Sequence, residues 1–112
     1  MPKKMKKSDA LALAELMRAP ARYLDHPDVQ EILGPGRCTA AMWDLRQVGD
    51  YLRDVGEGER PSRRDLRLVA LSLQQVADLL SHPRVAAISF ALPSTAVARR
   101  LREAVADLKK YM

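Results

Sequence analysis

Residues 62–80 read SRRDLRLVALSLQQVADLL, and the spacing of their apolar side chains decides the fold class. Leu66, Val69, Leu73, Val76 and Leu80 follow one another at alternating intervals of three and four. That rhythm gathers side chains on one face of a helix with about 3.6 residues per turn. Ala70 and Ala77 widen the face, and Arg67, Gln74, Asp78 and Ser81 leave a polar stripe away from it. Leu68, Leu71 and Leu79 project elsewhere, so this helix is apolar around most of its circumference and is expected to be central and covered on several sides.

Sliding the chain against itself by 56 residues extends the reading outward from this helix. Both halves carry A-x-x-L-x-H-P-x-V-x-x-I, from Ala21 to Ile32 and from Ala77 to Ile88. The same offset pairs Asp9 with Asp65, Ala14 with Ala70, Thr39-Ala40 with Thr95-Ala96, Leu45-Arg46 with Leu101-Arg102, and Leu52 with Leu108, thirteen identities without a gap. The implied unit is a long helix, a break, a short helix, a loop and a second long helix. Two such units make one closed domain, since open repeat arrays stack three or more. The expected architecture is all-α: a compact helical bundle of two pseudo-symmetric helix–short helix–helix halves. Residues 1–7 form a flexible basic tail and 8–112 a single helical domain, with repeat units 8–56 and 64–112.

Local signals place the breaks. Ser8 or Asp9 is expected to cap the first helix, whose buried stripe is Ala10, Leu13, Ala14 and Met17. Pro20 interrupts that helix by removing a donor and crowding the preceding turn. Its counterpart is Val76, so one copy should be kinked or shortened and the other straight. At Leu24-Asp25-His26-Pro27 the proline opens a short helix, with Asp25 expected to accept from a free amide; Ser81, His82 and Pro83 repeat the pattern. Gly34-Pro35-Gly36 marks a tight loop, and Thr39 is expected to cap the helix carrying Met42, Leu45, Val48, Leu52 and Val55. Trp43 and Tyr51 fall off that stripe and are expected to cover its edge, the alternative being that they mark a contact surface. Gly56 to Pro61 joins the halves. Val85 to Leu92 reads as helix or irregular core, and the last helix buries Val97, Leu101, Ala104, Val105, Leu108 and Met112.

Composition narrows function. A chain of 112 residues is long enough for one substantial core. Its single cysteine, Cys38, can form no internal disulfide and lacks the spacing of a metal or redox motif. No apolar run reaches 18 residues, and Asp9 and Glu15 interrupt the one segment that follows the basic start, so neither a membrane span nor a signal peptide is expected. The expected compartment is cytoplasmic.

The net charge of +5 is unevenly spread. Lys3, Lys4, Lys6 and Lys7 supply four positive charges; residues 8–56 hold five bases and eight acids; residues 57–112 hold ten bases and six acids. An acidic first half and a basic second half suit self-association or an acidic partner. The densest internal cluster, Arg60, Arg63, Arg64 and Arg67, can fork hydrogen bonds to phosphate. With the lysines it makes a candidate nucleic-acid contact. Ser94, Thr95, Arg99 and Arg100, in PSTAVARRL, make a candidate recognition-helix start.

Chemistry is poorly encoded. The two histidines lack the partners that zinc requires, the G-P-G loop lacks a phosphate-cradling pattern, and no nucleophile–base arrangement stands out. No catalytic, metal or cofactor-binding residue is expected, and no cofactor or small-molecule substrate. The sequence therefore reads as a non-enzymatic helical interaction or assembly protein with a protein partner or a second copy of itself, as in an accessory subunit of a nucleic-acid-associated complex. The alternative is a basic DNA-binding transcriptional regulator. Three-dimensional placement of the arginines separates them: one continuous face shared with the tail favours nucleic acid, dispersal favours protein.

Overall fold

The computed structural model describes residues 4–112, and every regular element in that range is helical. Lys3 lies outside the described residues. The helices are α1 (Lys7–Leu16), α2 (Arg18–Leu24), α3 (Pro27–Leu33), α4 (Pro35–Gly56), α5 (Arg63–Leu80), α6 (Pro83–Ala86) and α7 (Ser94–Leu108), followed by a 3-10 turn over Lys109–Tyr111. Adding 56 to the bounds 7 and 24 of the α1–α2 pair gives 63 and 80, the bounds of α5. Prolines 27 and 83 both open the short helix that follows.

Pro20 accounts for a break that the second half lacks; the halves differ again after the short helix, where Gly34 alone separates α3 from α4 but residues 87–93 separate α6 from α7. The missing N–H of Pro20 leaves the Leu16 carbonyl without its usual partner four residues on, and the helix parts at Met17, whose amide bonds the Ala14 carbonyl instead. With Val76 in the equivalent place, α5 runs through uninterrupted.

The long helices pack in pairs, α1 with α4 and α5 with α7; α4 also lies against α5, α2 against α7, and α3 against α6. The paired helices run antiparallel. Leu11 at the start of α1 lies over Gly56 at the end of α4, and a Cβ at Gly56 would come within 2.6 Å of the Leu11 side chain. Ser94 at the start of α7 donates from Oγ to the Leu80 carbonyl at the end of α5, at 2.8 Å. The result is a rod of 42 × 22 × 21 Å, longer than its longest helix, α4, whose 22 residues span about 33 Å. Its core is a leucine column that includes Leu24, Leu45, Leu52, Leu66, Leu73, Leu80, Leu101 and Leu108, all fully buried.

Several local expectations need correction. Residues 1–7 do not stand wholly apart from the domain: Met5 is buried in the core and α1 already begins at Lys7. Ser8 and Asp9 therefore sit inside the first turn of α1, where Asp9 is placed to favour the positive end of the helix dipole. Helix α4 starts at Pro35, ahead of Thr39, because the glycine at 34 can take φ +94° and release the chain into a proline at the first helical position. Thr39 instead donates to the Pro35 carbonyl within the helix. Asp25 and Ser81 are not the caps of the short helices. The histidines are: His26 Nδ1 accepts from the Asp28 amide at 3.2 Å and His82 Nδ1 from the Arg84 amide at 3.1 Å.

Candidate interaction surface

Helix periodicity sets what each long helix shows to solvent. On α4 the buried residues Cys38, Ala41, Leu45, Val48, Gly49, Leu52 and Val55 form one face. Trp43, Gln47, Asp50 and Asp54 stand on the opposite side and are exposed. Trp43 is 59% exposed, so it does not cover the stripe's edge as its position suggested. Tyr51 does pack against the core, at the α5 side of the helix. Its hydroxyl is buried without a hydrogen-bond partner. Burial, then the nearby Asp65 carboxylate, push its pKa up, opposed by the Ser62 backbone and reinforced by Glu59.

On α5 the outward side carries Arg64, Leu68, Leu71 and Gln75. Leu68 and Leu71 are 54% and 55% exposed, so α5, although packed against α7, α4 and α2, leaves one apolar side open. Leu79 is only partly exposed. Scattered exposed leucines are ordinary on soluble proteins. Here two of them are one turn apart on the face directly opposite the core, and the only tryptophan in the chain occupies the corresponding face of the adjoining helix.

The basic candidates divide into two groups. Lys4, Lys6, Lys7, Arg60, Arg63 and Arg64 lie exposed at the end of the rod where α1 and α5 start; the Lys7 ammonium sits beside Gly58 of the connector. Arg67 follows one turn along α5. Lys109 and Lys110 join the same end, because the Tyr111 hydroxyl donates to Asp9 Oδ2 at 3.2 Å and brings the C-terminal turn onto α1. Sequence reading missed those two lysines, since only the antiparallel path of α7 returns them to the N-terminal end. Arg99 and Arg100 lie near the middle of α7 and diverge. Arg99 lines a shallow groove with Ser81, Thr95 and Arg102, whereas Arg100 faces α1. Ser94 is buried and engaged with Leu80, so it is not available to read a groove in DNA.

A candidate recess is the cleft between α1 and α7, about 430 Å³, floored by Ala12, Leu13, Leu16 and Ala104. Asp9, Arg100, Glu103, Asp107, Lys110 and Tyr111 surround it, with Lys110 paired to Asp107 at 3.4 Å. Burial raises the Tyr111 pKa, helped by the negative charge and hydrogen bond of Asp9 and by Asp107. The lining holds no histidine, serine, threonine or cysteine. Cys38 is itself fully buried in α4, and that burial pushes its thiol pKa up despite Arg37, the reverse of what a reactive thiol needs. Among the described residues no three His, Cys, Asp or Glu side chains gather as metal ligands, and no helix is long and apolar enough to cross a membrane. The chain matches no protein-family profile, no curated protein and no solved structure.

Proposed function

We propose that this protein is a non-enzymatic helical interaction or assembly subunit, and that its two halves are copies of one helix–short helix–helix unit. The observation that carries the first part is the outward apolar triplet Trp43, Leu68 and Leu71, each more than half exposed on adjoining helices. A tryptophan held rigidly on a helix face is the kind of anchor that dominates protein interfaces once desolvated. The position of Arg99, in a groove away from the basic end, also favours a protein partner over one continuous nucleic-acid face.

A photo-reactive residue at position 43 or 71 of the full chain, in the producing cell, tests this reading. It should yield a defined protein adduct, and the same residue at the exposed control position 22 should not. Adducts at all three positions alike, or at none, would overturn it.

A second reading keeps one observation of its own. The convergence of Lys4, Lys6, Lys7, Arg60, Arg63 and Arg64 with Lys109 and Lys110 at one end supports contact with phosphate backbones, as in an accessory subunit of a nucleic-acid-associated complex. Binding of the intact protein to random duplex and single strands should then fall steeply with salt. The Arg63→Ala/Arg64→Ala double variant should weaken it similarly for all sequences, because backbone contacts position a protein without reading bases. Absence of binding at low salt removes the nucleic-acid component.

A further inference from the structure

The outer faces of α4 and α5 have complementary order along the helix. On α4, Trp43 and Asp50 are seven residues apart; on α5, Arg64 and Leu71 are also seven apart. Seven residues are nearly two turns, about 10.5 Å, so each pair shares one face. If α4 of one molecule lies antiparallel on α5 of another with Trp43 against Leu71, Asp50 falls opposite Arg64. One turn further, Asp54 falls towards the connector, where Arg60 lies outside the helix. All six side chains are exposed in the single chain.

The reverse orientation fails on charge. A parallel alignment with Trp43 on Leu71 would set Asp50 against Asp78, like charges facing each other across the contact. The charge order therefore selects one direction. Asp50 also has Arg53 beside it at 3.4 Å, but both are well exposed and such a pair is weak, so it does not hold Asp50 back. Arg60 and Arg64 have no salt-bridge partner among the described residues.

We infer that the partner surface for Trp43 and Asp50 is Leu71 and Arg64 of a second copy of this chain. Helices α4 and α5 are adjoining and joined by a six-residue connector, Glu57 to Ser62, which allows their outer faces to meet one partner. A twofold axis parallel to the helices then satisfies the contact twice and closes the assembly at two copies, leaving no open end for a filament. This rests on the interaction-subunit reading and names its partner.

Trp43 is the sole tryptophan, so intrinsic fluorescence reads this contact directly. Sedimentation equilibrium of the full chain should show a species of twice 12.5 kDa, and Trp43 emission should shift to the blue over the same concentration range. Asp50→Arg or Arg64→Asp alone should weaken association by about tenfold or more, each with an unchanged helical circular-dichroism spectrum. The exchanged pair Asp50→Arg/Arg64→Asp should restore it, which no general effect on folding or solubility would do. A monomer at every concentration with constant Trp43 emission overturns the inference, as does dimerisation insensitive to all three variants. The crosslinked adduct separates this from the parent reading. A second copy bound at position 43 supports both, a different protein supports only the interaction reading and overturns the dimer, and no adduct overturns both.

Discussion

The first and second halves satisfy a helix-end carbonyl with different atoms. Leu24 and Leu80, 56 residues apart, each end a helix before a His-Pro pair. In the first half Gln30 Nε2 reaches the Leu24 carbonyl at 3.4 Å; in the second the buried Ser94 hydroxyl reaches the Leu80 carbonyl at 2.8 Å. At the position of Gln30 the second half has Ala86, and at the position of Ser94 the first half has the buried Cys38. Neither half carries both donors. What is common to the two is the unpaired helix-end carbonyl, and the residue that answers it has moved.

The sharpest difference is Pro20 against Val76, both buried. Introducing Val76→Pro should remove a hydrogen bond in the middle of unbroken α5 and cost about 3 kcal/mol or more, read by urea denaturation. Pro20→Val should cost under about 1.5 kcal/mol, because the chain at Met17 has already adapted to the missing donor. Equal costs would mean that the break belongs to the surroundings of α1 rather than to its proline.

The donor exchange gives the next largest effect. Ser94→Cys, which copies the first half, should leave the Leu80 carbonyl unpaired in a buried place and cost about 1–3 kcal/mol. Adding Ala86→Gln should recover part of that loss. In the other direction, Gln30→Ala should cost less in a Cys38→Ser background than in the parent chain, since the new hydroxyl can reach Leu24. Additive behaviour in both cycles would break the equivalence of the two corners.

The caps come next. His26 and His82 both use Nδ1 on a helix-start amide, but only His26 also meets an aromatic ring, edge-to-face with Phe90 at 5.2 Å. Phe90 packs against Tyr23 as well, at 4.7 Å, and the Tyr23 hydroxyl donates to the Leu92 carbonyl. His82→Ala should therefore cost about 1 kcal/mol, the worth of a cap, and His26→Ala more. Calorimetric melting temperatures of the two variants rank them.

Periodicity made most of the fold legible. The stripe from Leu66 to Leu80 placed α5, the His-Pro pairs placed both breaks, and Pro20 placed the kink between α1 and α2. Less legible was whatever depends on where one helix ends relative to another. Gly34 releases α4 four residues before Thr39 through a positive φ, a freedom that sequence shows only as a glycine. Lys109 and Lys110 join the basic end through the path of α7. The outward position of Trp43 was within reach, since residue 43 falls opposite the stripe of Leu45, Val48 and Leu52. The short span of Met5 into the core carries no periodicity at all, so nothing in the basic run announced it.

The two tyrosines test the comparison most finely. Asp9 and Asp65 are equivalent at the 56-residue offset, and each has a tyrosine from another helix beside it. Tyr111 donates to Asp9, whereas Tyr51, one turn short of the equivalent place, buries its hydroxyl near Asp65 without a partner. Tyr111→Phe should therefore cost about 0.5–1 kcal/mol, while Tyr51→Phe should be neutral or stabilise by up to about 1 kcal/mol, because it removes an unsatisfied buried group. Alkaline pH adds a second reading. Burial raises the pKa of Cys38 above 9.0 and of both tyrosines above 10.0, so the folded state holds these protons more tightly than the unfolded chain. Their contribution is fully present below 9.0 and declines as pH rises through those values towards the folded-state pKa of each group. Unfolding free energies measured one unit below 9.0 and one unit above 10.0 should show the parent losing stability. Tyr51→Phe should lose less, since the group whose ionisation opposes folding is gone. An identical loss in both proteins would place the alkaline sensitivity elsewhere and show that the Tyr51 hydroxyl is not held from water.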